Sequence, residues 1–421
     1  MSGSHIVPLS MKNLAAYGLM GFPLAFAGLP VYLHAPDFYA TVLGQSLTSL
    51  GLVLLALRII DAVQDPLIGS LSDRFHGQRS IILVLGVIML GAGFWMIFHP
   101  LESNPLTWFA SAVFICTTGF SIVSINLQTL GGIWRASQND RTKITSWREA
   151  FGLFGLLVAA ISPTLLGSTI NPAEGFHRLT LLYLPVLCLA AWLLLRWMTR
   201  ADLQQSALSA DGHTGWCQLL KSPWRRTFFG IITLNTFASA IPAVLVLFFI
   251  RDRLGAPEQS GLFLLVYFSA GILAMPIWLQ LSKRFGKMRS WALSIALAIA
   301  TFFWAAFLQT GQVEAYAIIC ALSGLALGAD LALPPSILAD HIAADKRQAE
   351  AGRLFACMTL LSKGALALAT GLALPVLGIA GYQPGILMTA DMDMTLSLAY
   401  AASPCILKIL TLIWLLRQNQ F

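Results

Sequence analysis

The sequence predicts an all-α integral membrane protein whose twelve transmembrane helices form two six-helix bundles. Of its 421 residues, 57% are hydrophobic and only 11% are charged, whereas a soluble domain carries about 25% charged residues. Apolar runs of roughly 20 residues, the length that crosses a bilayer as a helix, recur along the whole chain. Because backbone groups in hydrocarbon must find partners within their own segment, each run is expected to be helical.

The longest polar stretch of the chain divides the apolar runs into two equal sets. This stretch, residues 200–226, predicts a central loop between an N-terminal six-helix bundle, residues 1–199, and a C-terminal six-helix bundle, residues 227–421. The predicted spans are 11–35, 44–70, 81–99, 106–130, 149–170, 179–199, 227–250, 260–282, 290–310, 314–338, 353–380 and 394–416.

Basic residues lie in alternate loops, which predicts the orientation of the chain. The loops between them hold almost no Lys or Arg, with Arg178, Arg251 and Arg253 as the exceptions. Because cytoplasmic loops are enriched in Lys and Arg, both termini and the central loop are expected in the cytoplasm of a bacterium, with the chain in its inner membrane. The net charge of +7 is therefore a topology signal, and we expect no nucleic-acid partner.

A short internal match supports the division into two halves. Residues 65–80 align without gaps to residues 275–290, and seven pairs are identical, among them Pro66 with Pro276 and Arg79 with Arg289. A repeat at half the chain length indicates duplicated six-helix halves, the plan of transporters that bind their substrate near the membrane midplane.

Asp61 and Asp65 lie inside the second predicted span, four residues apart, so they project from one helical face. An uncompensated charge in a bilayer costs at least about 2.5–3.5 kcal/mol, so something positive is expected beside them. Pro66 lacks an N–H and frees the carbonyl of Ala62 one turn back. These oxygens suit Na⁺ or a shared proton. The alternative is that Arg58 and other basic residues neutralise both carboxylates as structural salt bridges.

Five segments carry a resemblance to a known family. The stretch "GSLSDRFHGQR" resembles the loop signature between helices II and III of the major facilitator superfamily, and "RIIDAVQDPLIG" is similar to the glycoside–pentoside–hexuronide:cation symporters. The segments "NDRTKITSWREAFG", "GADLALPPSILAD" and "LLSKGALAL" extend the resemblance over most of the chain. It implies the major facilitator fold and a coupling-cation site at the paired aspartates of helix II, here Asp61 and Asp65.

The resemblance also implies roles for Arg148 and Lys363. Arg148 matches an arginine that contributes to a sugar site, although Glu149 can instead hold it in a local salt bridge. Lys363 matches a lysine close to the cation and substrate sites, and it is the basic residue that we place deepest in the C-terminal half. A lysine in hydrocarbon seeks a carboxylate. We therefore expect Lys363 to join a charge network with Asp61 and Asp65, or with Asp330.

Three further charged residues are assigned to gating. Asp73 and Arg74, at the cytoplasmic end of the second span, are expected to form a charge clamp that breaks during alternating access, or else to be charges that only set the topology. Asp340, near the cytoplasmic end of the tenth span, is expected in a helix cap or a loop salt bridge.

Two departures from the family weaken the sugar assignment. Where the family has hydroxyl-binding acids in helices I and IV, this chain has Ala25 and, close to the second position, Asn126. We retain Asn126 as a candidate substrate contact. The loss of both acids makes an amphipathic or lipid-like solute an alternative to a glycoside.

The predicted function is cation-coupled secondary transport of a small solute, with Na⁺ or H⁺ as the coupling ion and either uptake or efflux as the direction. No Walker A or metal-protease motif is present, so we expect no enzyme activity, no ATP use, no resident metal and no cofactor. The expected partners are the solute, the cation and the lipid bilayer, and we expect a monomer. A membrane-embedded lipid-modifying enzyme and a transporter-like sensor are the alternatives from other classes.

Overall fold

The structure, a computed structural model, describes residues 9–101, 103–167, 171–204, 215–379 and 390–418. Twelve long helices dominate these residues, which contain no β-strand beyond one antiparallel bridge between Trp134 and Leu203. The helices are α1 (Met11–Thr41), α2 (Leu47–Arg74), α3 (Arg79–Ile97), α4 (Pro105–Ile133), α5 (Gln138–Leu165), α6 (Pro172–Met198), α7 (Pro223–Phe248), α8 (Ser260–Phe285), α9 (Lys287–Phe302), α10 (Val313–Ala344), α11 (Ala351–Ile379) and α12 (Met392–Arg417).

The predicted all-α membrane fold is confirmed. Within the described residues, 11 helices are long and apolar enough to cross a membrane. The twelfth, α2, has 28 residues, about 42 Å of helix at 1.5 Å per residue, but its apolar run is interrupted by Arg58, Asp61 and Asp65. Helix α5 begins at Gln138 rather than at residue 149. Its first turns are polar, so they lie outside the apolar run from which the span was predicted.

The chain divides into two compact units. The first contains Met1–Ala207 and Leu338–Cys357, and the second contains Leu208–Ile337 and Met358–Phe421. The change of unit near residue 207 falls within the predicted central loop. Residues 338–357, which the sequence assigned to the C-terminal bundle, belong to the first unit instead. Ion pairs and hydrogen bonds from Asp73 and Arg141 attach this segment there.

Glycines bring α3 and α4 of the first unit into close contact. A Cβ atom added at Gly119 would lie 2.3 Å from the backbone nitrogen of Leu90, and one at Gly93 would lie 2.4 Å from that of Cys116. Small residues allow membrane helices to approach closely, and backbone atoms cannot move aside as a flexible side chain can. The α3–α4 contact therefore depends on the absence of side chains at these positions.

This contact leads to a test of the helix packing. We expect Gly119→Ala to lower the free energy of unfolding by roughly 1–3 kcal/mol, since overpacking displaces the neighbouring backbone. Gly51→Ala on α2 is the matched control, because no atom lies within 4 Å of the added Cβ. Thermal unfolding of the detergent-purified proteins measures both changes. Equal melting temperatures for the two variants would contradict the packing described.

Candidate functional site

Asp61 and Asp65 of α2 are buried in the first unit, with 7% and 0% of their surface exposed. The Asp61 Oδ1 atom accepts hydrogen bonds from Ser121 Oγ at 2.9 Å and from Gln64 Nε2 at 3.0 Å. Thr118 Oγ1 in turn donates to Gln64 Oε1 at 3.1 Å. Asp61 therefore belongs to a polar cluster between α2 and α4.

Three members of this cluster were missed from the sequence. Gln64 lies three residues after Asp61, and Thr118 and Ser121 lie three residues apart, so each set shares a helical face. Hydroxyl and amide groups are common in membrane helices, and nothing in the sequence shows that α4 lies against α2. Carboxylate, amide and hydroxyl oxygens are the ligands that hard cations prefer, and the carboxylates can also carry a proton.

Arg58 lies on the same helix, and its guanidinium contacts an aromatic ring. Its Cζ atom is 4.9 Å from the centre of the Tyr32 ring of α1, the geometry of a cation–π interaction. Arg58 is half-buried. This contact differs from the structural salt bridge to the aspartates that was the alternative from the sequence.

Asn126 of α4, predicted as a substrate contact, is fully buried. Its Oδ1 atom accepts a hydrogen bond from Ser72 Oγ at 2.6 Å, and its Nδ2 atom donates to the Ile122 carbonyl at 2.8 Å. Both ends of the amide are used within the first unit. In this structure Asn126 therefore joins α4 to the end of α2, and its predicted role as a substrate contact stays a prediction.

Asp73, at the end of α2, binds the first turn of α11. Its carboxylate accepts hydrogen bonds from the backbone nitrogens of Gly352 at 2.8 Å and Arg353 at 2.9 Å. The first amides of a helix lack partners within the helix and carry a partial positive charge, so a carboxylate satisfies them well. A Cβ atom at Gly352 would lie 2.4 Å from the Asp73 oxygen, so the approach requires glycine there.

Two arginines lie close to the Asp73 carboxylate, and neither of them is Arg74, the predicted partner. Arg79 Nη2 lies 3.7 Å from Asp73 Oδ1, and Arg353 Nε lies 3.6 Å from Oδ2, with all three side chains buried. Arg74 is exposed and its guanidinium lies against the Phe75 ring. The predicted Asp73–Arg74 clamp is thus corrected to Asp73 with Arg79 and Arg353, because Arg74 projects away from the buried carboxylate.

Two other predicted charges form ion pairs in the first unit. Asp340 Oδ1 accepts a hydrogen bond from Arg141 Nη1 at 2.9 Å. Arg148 binds the adjacent Glu149, with Nε 2.9 Å from Oε1. The arrangement of Arg148 is the local salt bridge that the sequence left open beside substrate contact.

The second unit contains a buried basic residue that the sequence analysis missed. Lys408 of α12 is buried, and its Nζ atom lies 2.9 Å from Asp330 Oδ2 and 2.9 Å from Asn235 Oδ1. Trp291 Nε1 donates to the other Asp330 oxygen at 2.9 Å. Asp330 therefore pairs with Lys408 and not with Lys363, because the packing of the helices places Lys408 of α12 beside Asp330 of α10.

Lys363 lies half-buried on α11, and its predicted charge network stays a prediction.

In the sequence, Lys408 looks like a basic residue near the end of the last helix. Only the packing of α12 against α7 and α9 reveals its burial.

A cavity of about 390 Å³ lies within the second unit. Helices α7, α8, α9, α10 and α12 line it, and most of the lining is apolar. Asp330, Lys408 and Asn235 supply its charged and amide groups. No group of three or more metal-ligating side chains occurs in the described part of the chain.

Comparisons with known proteins agree with this architecture. Residues 14–419 match the family described as MFS/sugar transport protein. The Bacillus subtilis (strain 168) protein named "Uncharacterized symporter YjmB" is 21% identical over 404 residues, covering 91% of this chain and 86% of that protein. The Danio rerio "Sodium-dependent lysophosphatidylcholine symporter 1-A" is 20% identical over 454 residues, covering 94% and 83%. The Escherichia coli (strain K12) "Putative glycoside/cation symporter YagG" is 28% identical over 155 residues, covering 35% and 34%.

Solved structures share the fold at low sequence identity. An outward-facing bacterial homologue of the iron transporter ferroportin superposes with a TM-score of 0.75 at 15% identity, covering 96% of this chain and 99% of that one. The E. coli fucose:proton symporter gives 0.66 at 15% identity, covering 95% and 98%. With twelve long helices, buried carboxylates on α2 and a family match over nearly the whole chain, the protein belongs to the MFS/sugar transport protein family and is a multi-pass membrane transporter.

Proposed function

We propose that this protein is a cation-coupled symporter whose coupling ion, Na⁺ or H⁺, binds at Asp61 and Asp65. The observation that carries the proposal is the burial of both carboxylates on a helix of membrane-spanning length. The symporter names of the relatives, two of which specify a cation, support it. We expect no other cofactor.

A bound coupling ion would stabilise the two buried carboxylates. Two like charges one helical turn apart repel each other, and each loses hydration when buried. Ser121 and Gln64 donate hydrogen bonds to Asp61, which stabilise its charged form. A cation bound between the two carboxylates would reduce their repulsion. Ion binding would therefore favour a conformation in which both carboxylates reach the cation, as coupling requires.

Helix α2 connects the proposed ion site to the Asp73 contact. Asp61 and Asp73 lie 12 positions apart in the sequence, roughly 18 Å along a helix. A movement of α2 on ion binding would therefore shift the Asp73 carboxylate relative to the first turn of α11. In this mechanism the Asp73 contact closes one access route and must break when the transporter changes its open side.

The transported solute is proposed to be a glycoside or an amphipathic solute. The sugar-transport family and the glycoside/cation symporter among the relatives support the first. Ala25 at the position of a family sugar-binding acid, the largely apolar cavity of the second unit and the lysophosphatidylcholine symporters favour the second. We propose Arg148 as a substrate contact that exchanges Glu149 for the solute.

The proposed location is the inner membrane of a bacterium, with both termini in the cytoplasm and the protein as a monomer. The alternation of basic loops supports this orientation. It places the Asp73 contact on the cytoplasmic side, since Arg74, Arg79 and Lys346 lie in loops of the basic set.

Cation binding can be tested without knowing the solute. We expect NaCl to raise the melting temperature of the purified protein above that in choline chloride of equal ionic strength, because a ligand at 100 times its Kd stabilises by about 2.7 kcal/mol. If the ion is a proton, lowering the pH from about 8 to about 6 should produce the increase instead. Asp61→Asn and Asp65→Asn should each lose the increase, and Asp202→Asn, whose carboxylate is 61% exposed, should keep it. An unchanged increase in both buried variants would refute the site.

The Asp73 contact leads to a second test. We expect Asp73→Asn to lower the free energy of unfolding by about 3 kcal/mol, since it removes the buried carboxylate that Arg79 and Arg353 share. Asp202→Asn removes an exposed pair with Arg135 and should change stability by less than about 1 kcal/mol. Thermal unfolding measures both. Similar effects from the two variants would contradict the structural importance of the buried contact.

The orientation can be measured by labelling single cysteines in a cysteine-free variant. We expect Lys221→Cys to react with a membrane-impermeant maleimide only after cells are opened. Glu258→Cys, in the exposed α7–α8 loop, should react in intact cells. The reverse pattern would overturn the proposed topology.

A further inference from the structure

The cavity of the second unit combines an aromatic lining with one cluster of polar groups. Six of its lining residues carry aromatic rings, namely Phe263, Tyr267, Phe268, Phe302, Tyr316 and Tyr400. The hydroxyl groups of Tyr316 and Tyr400 bind each other at 2.6 Å, so one hydroxyl hydrogen is used within the lining. The lining therefore favours an apolar guest over most of its length.

The cavity extends along α10. Its lining residues on α10 extend from Tyr316 to Asp330, a separation of roughly 21 Å along a helix. This aromatic slot is long enough for an extended hydrocarbon chain.

The polar cluster lies at the Asp330 end of this slot. Lys408 donates to Asp330 and to Asn235, and Trp291 donates to Asp330. The described residues thus accept two of the three ammonium hydrogens, which leaves one for a guest oxygen, and the Asn235 amide can donate as well. The Asp330–Lys408 pair has no net charge.

We propose that this cavity is a ligand site for an amphipath without net charge, whose hydrocarbon chain occupies the aromatic slot and whose polar group binds Lys408 and Asn235. Hydroxyl or carbonyl oxygens of the polar group accept from the ammonium and the amide. A zwitterionic group is also accepted, because its two charges can pair with Asp330 and Lys408.

The neutral ion pair is what selects the charge of the guest. An anionic or cationic group beside a pair that is already compensated leaves one charge unmatched in a largely apolar cavity, which is unfavourable. Changing the charge of the pair should therefore change the preferred charge of the ligand. A purely apolar pocket would not behave in this way.

This inference rests on the proposed function and identifies the part of the protein that holds the amphipathic solute. It concerns binding within the second unit, which requires no ion gradient. Failure of the coupling test at Asp61 and Asp65 and failure of the binding test described next are therefore separate results.

The site can be tested by photocrosslinking in lipid nanodiscs. The probe is a monoacylglycerol with a diazirine on its chain, and mass spectrometry identifies the labelled residues. We expect labels on cavity-lining residues such as Phe263 or Tyr316. Unlabelled monoacylglycerol and lysophosphatidylcholine should compete, and a fatty acid or an alkyltrimethylammonium of equal chain length should require at least tenfold higher concentration.

Substitutions give the decisive comparisons. Ala243→Phe fills the cavity from an exposed lining position and should reduce labelling at least tenfold. Ala367→Phe, an equal change at an exposed position of α11 outside the lining, should leave labelling unchanged. Asp330→Asn leaves Lys408 uncompensated and should make the fatty acid a competitor at least tenfold better than before. Lys408→Met should do the same for the alkyltrimethylammonium.

Three outcomes would overturn the proposal. The first is labelling confined to lipid-facing positions and equal in Ala243→Phe and Ala367→Phe. The second is equal competition by neutral, anionic and cationic amphipaths in the unmodified protein. The third is displacement of the probe by a free hexose as effectively as by monoacylglycerol. Should the Asp330 and Lys408 variants fail to fold, the Ala243 and Ala367 pair and the competition series still decide the question.

Discussion

A charge inside a membrane has to be compensated, and this requirement governs the arrangement of the helices in this transporter. Asp61 receives hydrogen bonds from Ser121 and Gln64, Asp73 from the first amides of α11, and Asp330 from Lys408 and Trp291. In each case the carboxylate receives at least one hydrogen bond from another helix, since the backbone N–H groups along the middle of its own helix are already bonded. The packing of α2 on α4, of α2 on the start of α11 and of α10 on α12 therefore has polar contacts at its centre.

These carboxylates have different kinds of partner. Asp73 and Asp330 each have a basic side chain and further donors close by. Asp61 also contacts hydroxyl and amide groups, whose oxygens are ligands that a hard cation accepts. This chemistry is the reason that we propose Asp61 and Asp65, and not Asp73 or Asp330, for the coupling ion.

Close backbone contact is the second requirement, and glycine meets it in the same helices. Gly352 leaves room for the Asp73 carboxylate, and Gly69 of α2 faces the Gly352 carbonyl, which would lie 2.8 Å from a Cβ added there. Gly119 and Gly93 likewise allow the backbones of α3 and α4 to approach each other closely. Polar contacts between membrane helices are short-ranged, so they form only where small residues let the backbones approach. The glycines and the buried charges of this protein are thus parts of one packing arrangement.

The sequence by itself determined the membrane class and the number of long helices, and it singled out Asp61, Asp65 and Asp73 as candidates, because hydropathy and charge placement are properties of neighbouring residues. Only the tertiary structure decided which groups meet across helices. It joined Asp73 to Arg79 and Arg353 in place of Arg74, buried Asn126 against Ser72, brought Ser121 to Asp61, and paired Asp330 with Lys408. None of these partners is close in sequence except Arg79. Their pairing depends on the rotation and depth of each helix against its neighbours, which a hydropathy pattern leaves undetermined.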